Sequence, residues 1–203
     1  CHQGSLGTNV SKNHMRGQTM SPIEALLSRV SVPRVVEPKV GAEELDILLR
    51  AGLRACDHGR LKPYRFILLE GEAREQLGEA MSEYLHGDLV DVSEEAIEAA
   101  KNKALRAPTL LSVIFCPNDN EKIPESEQLV TAGCAAQLIV TAAHMLGIGA
   151  MWRTGNVTYS GEVSRILGLD DSEQVVAMIY LGRPAANLPQ PPEVDPETFL
   201  TRL

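Results

Sequence analysis

Residues 129–155 read LVTAGCAAQLIVTAAHMLGIGAMWRTG, and the long apolar run that opens them sets the architecture of the chain. From Leu129 to Leu146 no polar face can be drawn; Thr131, Gln137, Thr141 and His144 only interrupt the apolar surface. Those interruptions argue against a membrane span. The alanines and Gly133 allow a neighbouring helix to come close, so the run predicts a central core or dimer helix. After Gly147 the residues 148–152 read as a strand that delivers Trp152-Arg153-Thr154 to its end. Gly147-Ile148-Gly149 looks like half a dinucleotide fingerprint, but it follows a helix and precedes a strand. A phosphate-binding fingerprint needs the opposite order, with a helix N-terminus aimed at the phosphate.

Working outward, Ser21, Pro22 and Glu24 form a helix start, with a capping hydroxyl, a first-turn proline and a carboxylate three residues on. Ile23, Leu26, Leu27 and Val30 then make one apolar stripe. A second helix is predicted over residues 43–56, with Gly59 placed to end it and Pro63 preventing its resumption. Strands are predicted over residues 64–70, 110–116 and 175–182, and helices over 72–85, 93–105 and 161–167. Helices between strands with polar crossovers imply an α+β or α/β sandwich. Residues 1–19 are polar and aperiodic, and read as a flexible or vector-derived extension before a natural start at Met20. Residues 20–203 read as one domain, its proline-rich end from about residue 184 resembling an arm.

With 44% hydrophobic and 23% charged residues over 203 positions, the composition is that of a globular protein. A formal charge of −8 argues against a duplex nucleic-acid partner and against attraction to an acidic membrane surface. Cys1, Cys56, Cys116 and Cys134 have no paired spacing, which points to reduced thiols in a cytoplasm. Cys56 and His58 could offer two metal ligands, but no second pair has a credible spacing, so no metal site is assigned. The phosphate-loop, nucleophile-elbow and zinc-protease motifs are missing. What remains is three arginine-bearing segments: Arg29-Val30-Ser31 with Arg34, Arg54 to His58, and Trp152-Arg153-Thr154. Singly each reads as solvated charge; together they suggest guanidinium forks and hydroxyls around a phosphate monoester.

The ordered set Ser28-Arg29-Val30-Ser31-Val32-Pro33-Arg34, Leu49-Arg50-Ala51-Gly52-Leu53-Arg54-Ala55-Cys56-Asp57-His58, Ser126-Glu127-Gln128, Ala132-Gly133-Cys134-Ala135, Met151-Trp152-Arg153-Thr154-Gly155 and Tyr180-Leu181-Gly182-Arg183-Pro184 resembles the FMN-dependent nitroreductase family, closest to its YdjA-like subgroup. The resemblance implies an α+β three-layer sandwich, a mixed sheet with flanking helices, and an intertwined homodimer with FMN at the interface. It implies FMN-binding roles for Arg29, Val30, Ser31, Trp152, Arg153 and Thr154, and for Arg54 and His58 reaching in from the partner subunit. It associates Ala142, Ala143, His144, Met145, Leu146 and Gly147 with NAD(P)H. The chain departs from the usual pattern at Val30 (commonly arginine), Cys56 (commonly proline) and Lys62-Pro63-Tyr64 (commonly Gln-Pro-Trp). Lys62 is thereby open to two readings, a cation near the flavin's pyrimidine edge or a side chain pointing into solvent. The implied activity is ping-pong two-electron transfer from NAD(P)H to nitroaromatics, quinones or similar small acceptors, with no catalytic side chain demanded; the alternative is a dimer that binds FMN or another phosphorylated ligand without turnover.

Overall fold

The computed structural model describes residues 21–88 and 92–203. The extension expected over residues 1–19 and the start at Met20 lie outside the described residues. A short helix, α1 (Pro22–Leu27), opens on the expected capping box: Ser21 Oγ accepts from the Glu24 amide, and Glu24 accepts from the Ser21 amide at 2.8 Å. Then follow β1 (Val35–Val36), α2 (Ala42–Gly52), β2 (Tyr64–Leu69), α3 (Glu72–Asp88), α4 (Glu94–Lys101), β3 (Thr109–Phe115), α5 (Glu125–Met145), β4 (Gly149–Arg153), α6 (Gly161–Leu167) and β5 (Gln174–Pro184).

β5 is the centre of the sheet. Its Met178, Tyr180 and Leu181 pair with Ser112, Leu110 and Thr109 of β3 on one edge and with Arg153, Met151 and Ala150 of β4 on the other. β2 lies outside β3, and β1 pairs with the end of β5 through Val35 and Val36. Gly182 is required there, because a Cβ would stand 2.9 Å from both Pro108 and the Val36 carbonyl.

Strand periodicity divides the core in two. Leu111, Val113, Ile179 and Leu181 face α2 and α5, where Leu48, Ala132, Ala136 and Ile139 close over them. Leu110, Ile114, Met178 and Tyr180 face α3, α4 and α6, meeting Leu77, Met81, Ala100 and Val163. The three-layer α+β sandwich is thus present. α5 is long and apolar enough to cross a membrane by length and composition. Here it serves as the inner helix of one layer, with Ala132, Ala135, Ala136 and Ile139 fully buried.

Three expectations are corrected. Every pairing among the described strands is antiparallel, so one chain does not supply the mixed sheet the resemblance implied. The second helix stops at Gly52, not near Cys56, because Gly52 is pressed against Ile139 and Phe66 and the next amides turn back by three residues onto Ala51 and Gly52. Gly59 belongs instead to a separate 3-10 turn, His58–Arg60. Finally, Val30 lies beyond the end of α1, and the stripe it was assigned to faces outward: Ile23 is 64% and Leu27 71% exposed.

Candidate flavin site

The Arg29–Ser31 segment leaves α1 and runs onto the sheet. The Val32 amide donates to the Ala150 carbonyl of β4 at 2.9 Å, and Val32 and Val35 pack on Gly149. A Cβ at Gly149 would stand 2.7 Å from Val35 Cγ1, so glycine is what lets the two segments meet. Arg29 sits beside the last turn of α5. Ser28 Oγ and His144 Nε2 are 3.1 Å apart, and burial, followed by the Arg29 charge, lowers the His144 pKa. A neutral imidazole is therefore set beside a guanidinium, and the C-terminal end of α5 gathers Arg29, Ser31, His144 and the start of β4.

Strand β4 carries Trp152 and Arg153 to a cleft of about 750 Å3, which α3, the turns after α4 and the Asn156–Tyr159 turn complete. Trp152 packs partly against the α2/α5 core, whereas Arg153 turns to the other face, 5.5 Å over the Tyr180 ring, with one amino group reaching the Pro33 carbonyl at 3.4 Å. Arg153 Nε is buried without a hydrogen-bond partner. Lys103 and Arg106 line the same cleft, and no Asp or Glu does so among the described residues. Sequence reading missed this pair, having assigned residues 93–105 to a helix without a site role. α4 stops at Lys101, and the turns after it point Lys103 and Arg106 at the strand end. The signal available was the run of bases at 101, 103 and 106 ahead of a buried strand.

Arg54 and His58 lie elsewhere. His58 Nδ1 is 2.8 Å from Glu127 Oε2 in the first turn of α5, and the two sit in an open groove of about 460 Å3 with Cys56, Asp57 and Val130. Arg54 is exposed on the chain leading to that groove. A helix of 21 residues is about 30 Å long. The expected flavin residues therefore separate: the Arg29 segment lies at the C-terminal end of α5, Trp152 to Thr154 follow at the far end of β4, and His58 lies at the N-terminal end of α5, so a single chain does not bring His58 to Arg29. Residues 142–147 sit with the Arg29 group; Ala143 is buried, Met145, Leu146 and Gly147 are exposed, and none of them lines the large cleft.

The model of the nitroreductase family matches residues 26–183. The chain is 35% identical over 189 residues to "Putative NAD(P)H nitroreductase YdjA" of Escherichia coli K12, covering 90% of this chain and 99% of that one. The fold matches a nitroreductase-like protein of Bacillus cereus with a TM-score of 0.78 at 18% identity, over 93% of this chain and 98% of that one. It also matches a Desulfovibrio desulfuricans nitroreductase-type structure in complex with FMN, TM-score 0.65 at 22% identity, over 90% and 96% of the two chains. With the family match covering both the Arg29 segment and the β4 end, and a full-length relative at 35% identity, the chain belongs to the nitroreductase family.

Proposed function

We propose that the protein is a cytoplasmic FMN-dependent NAD(P)H oxidoreductase that reduces nitroaromatics, quinones or similar small acceptors, acting as a homodimer whose flavin sites each draw on both subunits. The observation that carries the reading is the division of the flavin residues between the two ends of α5. A second copy, placed so that one chain's Arg54 and His58 face the other's Arg29 and Trp152, completes two equal sites at once, as an isologous interface requires. The exposed apolar residues Ile23, Leu27 and Val130 support the same reading, since they flank both groups on the outer surface.

The residues present fit FMN. Arg29 and Ser31 offer a guanidinium fork and a hydroxyl to a phosphate. The cleft beside β4 has room for a planar ring, an orphaned Arg153 Nε to donate a hydrogen bond, and three cations without a facing carboxylate among the described residues. Bound FMN would supply two-electron chemistry, taking a hydride equivalent from NAD(P)H and passing it to the acceptor. Lys103, Arg106 and Arg153 would favour negative charge in that cleft, and the buried Met178 and Tyr180 would keep its floor dry. Nicotinamide and acceptor would use the same open position in turn, so no side-chain acid or base is assigned. The exposed Met145-Leu146-Gly147 turn is the proposed outer contact for the nicotinamide nucleotide.

The test is the flavin absorbance band of the purified protein after FMN loading and removal of excess, recorded before and after anaerobic NADH or NADPH. Retention followed by bleaching is the expected result. A retained band that neither nucleotide bleaches would replace the enzyme with a flavin-binding protein, and a colourless protein would overturn the cofactor assignment.

A further inference from the structure

The Arg54–Lys62 segment presents four basic side chains, Arg54, His58, Arg60 and Lys62, all of them exposed. Exposed basic loops are ordinarily loose. This one is built otherwise. Asp57 Oδ1 accepts from the Leu61 amide at 3.0 Å and Oδ2 from the Lys62 amide at 2.8 Å, so one carboxylate closes the whole turn. Inside that closure the backbone is left-handed at Gly59 (φ 70°), Arg60 (φ 57°) and Lys62 (φ 48°). Two of those three residues carry a Cβ, and such a conformation persists only where its surroundings hold it. Gly59 is pinned as well, because a Cβ there would lie 2.5 Å from Ile123 Cδ1. On the far side Pro63 is buried, and its carbonyl accepts from the Cys116 amide at 2.9 Å. The loop is thus clamped at its base while its basic side chains stay outside.

We propose that Asp57 is a positioning residue for the flavin site: its carboxylate holds the strained loop so that His58 and Lys62 are already placed for a flavin bound by a second copy of the chain. The inference rests on the reading that His58 addresses the flavin. Asp57 itself touches none of the ligand; both its oxygens are spent on backbone amides. Clamping the loop before binding removes the ordering cost that a free loop would impose on each binding event. Evidence for a clamp of this kind is the cost it carries, two non-glycine residues in left-handed backbone within three positions, which a merely connecting loop would avoid by using glycine.

The experiment is a double-mutant cycle on FMN affinity with the full-length protein, using Asp57→Ala, His58→Ala and the pair, alongside hydrogen exchange at the Leu61 and Lys62 amides. Asp57→Ala is expected to weaken FMN about tenfold, the loss of two charge-assisted amide bonds diluted over an open loop. His58→Ala should weaken FMN as well, and the pair should be little worse than Asp57→Ala alone, because a released loop no longer places His58. Asp57→Asn, which keeps one oxygen acceptor, should fall between. Exchange at the two amides should quicken in Asp57→Ala while the protection of β3 and β5 stays, showing that the fold is intact. Additive losses from the two single variants, or an Asp57→Ala protein with unchanged affinity, would overturn the positioning role while leaving His58 at the flavin. No effect of His58→Ala would remove the underlying reading, and the proposal with it.

Discussion

The two ends of α5 are held by different physics. At the C-terminal end the Arg29 segment is fastened by apolar packing and backbone pairing: Val32 and Val35 on Gly149, the Val32 amide on Ala150, and β1 on β5. At the N-terminal end the fastenings are polar. Asp57 clamps its loop, and the buried Gln128 amide bonds Asn118 and the Ile123 carbonyl. Beside them Arg65 holds Glu173 through two bonds of 2.7 Å, and Cys116 Sγ lies 3.0 Å from the same carboxylate. Burial, then the bond to Glu173, pushes the Cys116 thiol up to about 12, while the Arg65 guanidinium holds Glu173 down at about 2. The lesson is that the two halves of one proposed site should fail under different insults.

The largest effect is expected from the phosphate side. On the proposed reading Arg29→Ala would remove a charge-assisted bond to the FMN phosphate, and should weaken FMN roughly 100-fold while leaving riboflavin affinity nearly unchanged. Titration of both flavins against the variant checks it, and an equal loss for the two would detach Arg29 from the phosphate.

Gly149→Ala comes next. The added methyl meets Val35 Cγ1 at 2.7 Å in a closely packed seam, an overpacking that should cost about 1–3 kcal/mol. Denaturant unfolding reads the loss, and hydrogen exchange should show the Val32 amide opening while the Leu61 and Lys62 amides keep their protection.

The smallest effect belongs to the opposite end. The Glu173 carboxyl is lower in the fold than in the unfolded chain, so its stabilisation is complete above about pH 4.5 and is lost as pH falls towards about 2. The full linkage would be roughly 3 kcal/mol, and exposure of Arg65 reduces it by screening to about 1–2 kcal/mol. Glu173→Gln should lose that amount at pH 7 and show a flatter acid limb over the same window in unfolding curves. An unchanged limb would mean that other carboxylates govern acid stability.

Most of the scaffold was legible in the sequence because its elements carry strong periodic signals with punctuation. The helix expected around Gly161 to Leu167 is present, capped by Ser160 and ended by Gly168 in a left-handed turn. The apolar run before Gly147 reads as a core or dimer helix, and α5 is the inner helix of one layer. The misreadings arose where tertiary contacts override local signals. Nothing near Gly52 announces that Ile139 and Phe66 will press on it, so the helix was continued to Cys56. The antiparallel sheet was equally hidden, because strand direction depends on where the crossings lead. Of the proposed site, the three arginine segments were named from side-chain chemistry and family resemblance. Their separation along α5 was not, since a linear sequence carries no record of which end of a helix a loop returns to. Lys103 and Arg106 were lost because a base just past a charged helix looks like more of its solvated face.

The most direct test of the two-chain site is subunit complementation. Arg29→Ala and His58→Ala proteins, each tagged differently, would be co-expressed and the mixed dimer isolated beside the two parent variants. Each parent carries a defect in both sites, whereas the mixed dimer places both defects in one site and leaves the other whole. Both parents should be poor in flavin, and the mixed dimer should retain one tight FMN per two chains, bleached by NADH or NADPH. A mixed dimer no better than its parents, or a mixed species that does not form at all, would contradict a flavin site shared between two copies.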